Sequence, residues 1–245
     1  MRIRHAIPAA LLGLVFATCA TSLHAQESPR TRSQALQAIA EPVAEVRLAG
    51  VQRLGEIGTM ADADRLVVSL RDEDDKVRLY ASVSMWQIWS RSGDKAIDLQ
   101  YQRGIAHMEA GELPEAVATF SAIIRKKPAF AEAWNKRATL FYMMGLMDLS
   151  LQDCEQVIKR NRNHFGALSG YGQIYLSKGD LARAATYFER ALAINPNLPG
   201  AASTLQILRE RLDTQQRKSV QAGQPGRQAR AASQGTVAQA MAMPA

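Results

Sequence analysis

Residues 165–198 read FGALSGYGQIYLSKGDLARAATYFERALAINPNL. Gly179 falls where a first helix must stop, because glycine accepts the left-handed conformation that ends helices. Pro196 ends a second helix, since proline removes a donor and disfavours α geometry in the residue before it. Gly172 and Ala184 are small enough to let the two helices approach closely, and Tyr175 and Phe188 can fill the space towards a neighbouring unit. The pattern recurs upstream. Gly111, Gly145 and Gly179 are evenly spaced, and a small residue precedes each at the same short interval: Gly104, Ala138 and Gly172. In that register the units run 97–130, 131–164 and 165–198. The first carries His107, Ala116, Phe120 and Pro128. The second carries Trp134, Phe141, Ser150 and Cys154.

The third unit, with Leu168, Tyr171, Gly172, Tyr175, Ala184, Phe188 and Pro196, resembles the tetratricopeptide repeat pattern W-x2-L-G-x2-Y, A-x3-F, P. The period matches too, since such units are about 34 residues long. The first unit departs from the pattern at Gln100, and the second at Ser150, Cys154 and Arg162. The resemblance implies an all-α, right-handed solenoid of helix hairpins that stack because no single unit can bury its own apolar face. It also implies a concave groove lined by the first helices, at unit positions two, five, nine and twelve. Those positions are Asp98, Tyr101, Ile105 and Met108 in the first unit. They are Glu132, Asn135, Thr139 and Tyr142 in the second, and Gly166, Ser169, Gln173 and Leu176 in the third. The implied partner is a protein or peptide. A clamp for a terminal carboxylate is not expected on this face. Tyr101 and Ile105 occupy two of its positions, Lys136 is the only basic residue at any of them, and Gly166 and Gly170 replace the rest.

Upstream, residues 28–92 carry a different period. Val46-Arg47 recurs as Val77-Arg78, and at the same interval Gly50 recurs as Ala81, Leu54 as Met85 and Ile57 as Ile88. This stretch resembles HEAT-like repeats, with a plain helical cap on the array as the alternative reading. Helices are expected near 31–40, 43–57, 61–71 and 75–91, with Pro42 in a first turn and Asp72 to Asp75 at a helix start. Only Ser92-Gly93-Asp94 interrupts the chain before the repeats, so the two blocks are expected to form one continuous superhelix, with Trp86 and Trp89 as a buried seam.

The ends read differently. Met1 to Ala25 has Arg2 and Arg4 before an apolar run from Ala6 to Ala17, and Leu23-His24-Ala25 resembles a cleavage site: a secretory signal, too short to span a membrane. Cys19 is not in a good lipoprotein context. Cleavage before Gln26 lowers the net charge from +7 to +5 and leaves Cys154 as the single cysteine. The resulting location is periplasmic or secreted. Residues 199–216 are expected to cap the array, with Leu205, Ile207, Leu208 and Leu212 inward. Residues 217–245 form a polar, acid-free tail, read as disordered, whose basic residues could touch an anionic envelope surface weakly.

Catalysis and cofactors find no support. His107 and His164 lie in different units, with no neighbouring Cys or Asp arrangement. His107 sits at a packing position and His164, closing the second unit, is expected to be exposed. Cys154 replaces a core aromatic and reads as an inert thiol. No metal-ligand spacing, phosphate loop or nucleophile motif occurs. The basic clusters Arg125-Lys126-Lys127 and Lys159-Arg160 lie at helix C-termini, where cations favour the dipole, so nucleic acid is not an expected partner. The function expected is an exported scaffold or adaptor that is not an enzyme. The alternatives are an envelope-anchored assembly factor for a secretion or cell-wall complex, or a cytoplasmic RNA-associated repeat protein.

Overall fold

The computed structural model describes residues 28–222, which are helical throughout and contain no strand. The proposed signal segment lies outside these residues, as does the tail beyond residue 222. An N-terminal block holds α1 (Arg32–Ala38), α2 (Ala44–Ile57), a short 3-10 turn (Met60–Asp62), α3 (Ala63–Ser69) and α4 (Asp75–Trp89). The three units follow as α5 (Lys95–Glu109) with α6 (Leu113–Lys126), α7 (Ala131–Met143) with α8 (Met147–Arg160), and α9 (Phe165–Ser177) with α10 (Leu181–Ile194). The last helix, α11 (Pro199–Ala222), packs on α10 through Ala201, Leu205 and Leu208. It runs past the expected end at residue 216, so the first part of the supposed tail is helix.

The helix boundaries follow from local chemistry. Gly111, Gly145 and Gly179 take φ of +76°, +75° and +77° at the hairpin turns, conformations that a side chain would strain. Asp94 caps α5 through the N–H groups of Ala96 and Ile97, and Asp74 caps α4 through Lys76 and Val77. Pro42 sits just ahead of α2 rather than in its first turn.

The units are held by paired sizes. In the first and third, a glycine faces the tip of a phenylalanine ring. A Cβ on Gly104 would lie 2.7 Å from Phe120, and one on Gly172 would lie 2.8 Å from Phe188. In the second unit both members change: Ala138 replaces the glycine and Cys154 the ring, and both are buried in one cluster with Tyr171 and Ile174. The extra methyl at 138 thus makes up part of the volume lost at residue 154, and the rest is left as open space that both residues line.

The N-terminal block repeats one arrangement. Arg47 donates to the carbonyls of Glu41 and Pro42, and Arg78 to those of Asp72 and Glu73, six and five residues upstream in both cases. Arg47 also forms a forked pair with Asp72, 2.8 Å on each arm. Gly50 lets α2 lie against α1, since a Cβ there would meet Ala35 O, Ala38 Cβ and Ile39 N at 2.8 Å.

The block does not continue the array in sequence order. Its core takes in Phe165, with Ile194 and Leu198 beside it, all from the third unit. Polar contacts agree. Arg71 donates to the carbonyls of Ala193 and Ile194, Asn197 donates to Leu70 O at 2.7 Å, and Asn163 donates to Asp64 at 2.8 Å. The reason lies in the turns that join the units. They present apolar and asparagine side chains that only a second layer can cover, and the apolar face of α4 meets them. The chain therefore folds back, and α4 runs along the row of turns from the third unit towards the first.

Candidate functional site

The fold-back decides which parts of the concave face stay open. Trp86 and Trp89 form the seam. Trp89 stacks on the His164 ring at 4.3 Å between centroids, and Trp86 meets it edge-on at 5.3 Å. Phe165 packs on both tryptophans, and Gly166 leaves room for the Trp86 ring, which an added Cβ would strike. His164 is fully buried, not exposed as its polar character suggested. Its Nδ1 accepts the N–H of Ala167 at 3.0 Å and caps α9, so Nε2 carries the hydrogen and donates to Glu132 at 2.9 Å.

This placement corrects two of the expected groove residues. Glu132 is 1% exposed, held by His164, Asn135 and Lys136. Burial opposes its charge, yet those three donors outweigh it and keep the carboxyl below the usual carboxylate range. Tyr101 is 2% exposed, wedged between Phe120 and Phe130. A guest chain cannot reach either side chain. Glu132 lies in the first turn of α7, bonded to the His164 that the tryptophans of α4 cover, whereas Tyr101 lies in the middle of α5, closed off by Phe120 of its own unit and by the Phe130 that leads into α7. Hydropathy pattern alone could not reveal the burial of Glu132, because the covering element lies in another part of the chain. One local signal existed: glycine at residue 166, where only a close neighbour explains the missing side chain.

The remaining expected residues lie further along the same helices. Between α7 and α9 is a cleft of about 150 Å³, lined by Asn135, Thr139, Tyr142 and Gln173, with Cys154 and Ile174 also on its wall. Thr139 and Gln173 are exposed, Tyr142 is half-buried and Asn135 is nearly closed off. The Tyr142 hydroxyl lies 3.1 Å from Ser177 Oγ. Ile105 and Met108 are half-buried against the first unit's core and Leu176 against the third's, while Ser169 is half-buried between the ends of the face. This outer half of the face offers amide and hydroxyl groups beside apolar surface, a set suited to an extended peptide.

The chemistry of the cleft is passive. Burial, with Asp153 adding to it, pushes the Cys154 thiol up to about 12, so it carries no thiolate at neutral pH. His107 pairs with Glu112 at 2.6 Å on a hairpin turn, away from the cleft. Among the described residues, no three of His, Cys, Asp and Glu converge to hold a metal, and no helix is long and apolar enough to cross a membrane.

Comparison with known proteins agrees with this architecture. The tetratricopeptide repeat family matches at residues 101–156 and again at 165–198. A TPR repeat-containing protein of Rhizobium etli is 33% identical over 150 residues, covering 61% of this chain and 74% of that protein. DnaJ homolog subfamily C member 3 of Rattus norvegicus is 30% identical over 101 residues, covering 41% of this chain but only 20% of that protein, so this chain spans about a fifth of it. Among solved structures, the first TPR of Spaghetti (RPAP3) bound to an HSP90 peptide is 20% identical, with a TM-score of 0.46 over 48% of this chain and 93% of that one. With its evenly repeated units, its hairpin glycines and the match to the rhizobial protein, the chain belongs to the tetratricopeptide repeat family.

Proposed function

We propose that this protein is an exported, non-enzymatic adaptor that holds a partner polypeptide along the outer half of its concave face. The observation that carries the reading is the cleft between α7 and α9, which the fold-back leaves uncovered and where Thr139 and Gln173 are exposed beside Tyr142. The fully protonated, buried Cys154 and the tightly paired His164 are consistent with binding rather than turnover. The N-terminal block, which we take as HEAT-like, then acts as a brace across the unit turns. Export rests on the arginine-led apolar run between Met1 and Ala25.

The test is a photo-crosslinking amino acid placed at Gln173 and, as a control, at the exposed Glu155 on α8. The expected result is one defined polypeptide adduct at residue 173 and none at 155. Equal adducts at both positions, or adducts at 155 alone, would place binding elsewhere. Sequencing of the mature N-terminus tests export separately, with a start near Gln26 expected.

A further inference from the structure

A second cleft, of about 250 Å³, lies where the end of α4 and the segment leading into α5 meet the α6–α7 and α8–α9 turns. It is away from the concave face, and its reading does not depend on the function proposed above. Its charged members are Arg91, Lys127 and Arg160. Arg91 donates to the carbonyls of Gly55 and Gly58 at 2.6 and 2.8 Å, with Asp98 as the nearest opposite charge. Arg160 donates to Pro128 O and to Gln156, and lies over the Trp134 ring. The Lys127 ammonium has no hydrogen bond or ion pair among the described residues.

Two further donors point to a ligand. Trp89 Nε1 and Asn161 Nδ2 are buried and have no partner, in residues 3% and 6% exposed that both line this cleft. The amide orientation of Asn161 is fixed, because its Oδ1 accepts the N–H of Asn163 at 3.2 Å. Asn195 makes the same turn one unit later, accepting from Asn197 at 3.0 Å, but its Nδ2 is satisfied by Ser82 at 3.3 Å. The same side chain in the same turn is therefore satisfied at one position and orphaned at the other. Buried donors without partners are rare, and each calls for an acceptor. Phe130, Ala129 and Met60 supply an apolar wall.

We propose that this cleft binds a small organic anion, a carboxylate carried on a compact apolar body. Trp89 Nε1 and Asn161 Nδ2 donate to its oxygens, Lys127 neutralises its charge, and the body packs beside Phe130. The carboxylate belongs either to a free acid or to the C-terminal residue of a peptide, and both present the same groups.

The experiment follows the indole N–H resonances of the full chain by NMR during titration with benzoate, N-acetylphenylalanine, its uncharged amide and inorganic phosphate. Trp89→Phe assigns the Trp89 signal. The expected result is a saturable downfield shift of that signal with benzoate and N-acetylphenylalanine, and none with the amide. Tighter binding of N-acetylphenylalanine identifies a peptide terminus as the source; tighter binding of benzoate identifies a free acid. Lys127→Gln should weaken both roughly tenfold, the scale of one charge-assisted hydrogen bond. Asn161→Asp, which keeps the turn's acceptor but replaces the donor with a negative charge, should abolish binding. No saturable shift with either acid, an equal shift with the amide, binding of phosphate alone, or indifference to Lys127→Gln would overturn the proposal. The Lys127 variant keeps the test valid if Asn161→Asp does not fold.

Discussion

Replacing Gly172 with alanine should have opposite effects on stability depending on what occupies residue 188. In the native chain the new Cβ would sit 2.8 Å from Phe188 Cζ and 2.9 Å from both Cε atoms. Carbon contacts are favourable at about 3.5–4.0 Å, so the ring would have to retreat by roughly 0.6–1.2 Å. Phe188 is 1% exposed and packs with Ala184, Leu205 and Leu208, so the ring has no free space to enter. Overpacking of this kind costs about 1–3 kcal/mol, while removing a helical glycine returns about 1 kcal/mol of propensity. The net expectation for Gly172→Ala is therefore a loss of about 0–2 kcal/mol. Phe188→Cys alone should cost about 3–5 kcal/mol, as for other large core truncations. In that background Gly172→Ala recreates the Ala138–Cys154 pair of the second unit and should stabilise by about 1 kcal/mol. Urea denaturation under reducing conditions, with slopes compared to confirm a common unfolded state, measures all four corners of the cycle. A coupling of about 1–3 kcal/mol between the sites is expected. If Gly172→Ala stabilises equally in both backgrounds, the glycine is not there to admit the ring, and the size-pairing account fails.

Three other outcomes follow from named contacts. Asp72→Asn should cost about 1.5–3 kcal/mol at neutral pH, the range for a charged hydrogen bond, as read by urea denaturation. The forked bond from Arg47 holds the Asp72 carboxyl below its ordinary value. That contribution is complete above the unfolded value of about 3.9 and is lost as pH falls through the lower folded value, so the variant should flatten the stability profile in that acidic window. His164→Ala leaves Glu132 buried without its main donor and removes the cap of α9, so it should cost about 3–5 kcal/mol in thermal or chemical melts. Tyr142→Ala, made in the chain that carries the crosslinker at residue 173, should abolish the adduct expected from the cleft while thermal melts show the chain still folded; an unchanged adduct would show that the guest lies elsewhere.

The repeats were legible because each unit's packing is local. Gly104 with Phe120 and Gly172 with Phe188 lie on adjoining helices of one unit, and the hairpin glycines mark each turn. The four helices of the N-terminal block were legible for the same reason, down to the two equivalent arginines, Arg47 and Arg78. Trp86 and Trp89 could be read as a seam, but not what they sealed against. Their partners His164 and Phe165 lie far along the chain in another repeat system, where neither period predicts pairing. That single missing fact accounts for the misplacement of His164 and Glu132, polar residues that look solvent-facing until α4 lies over them, while Tyr101 was misplaced because Phe120 and Phe130 close on its ring. Lys127 and Arg160 were likewise explained by the helix dipole alone, which hid their meeting with Trp89 and Asn161.

The central claim is that the N-terminal helices fold back onto the third unit and leave only the outer half of the groove open. Val68 on α3 is 72% exposed, whereas Cys154 is 3% exposed, so in a chain that begins at Gln26, and therefore lacks Cys19, a nitroxide on Val68→Cys labels one place. If the claim holds, the label broadens the amide signals of Asn195 and Asn197 more than those of any residue in α5 or α6. Strongest broadening in α5 and α6, with Asn195 and Asn197 left sharp, would mean that the block stacks on the first unit and that the groove is open along its whole length.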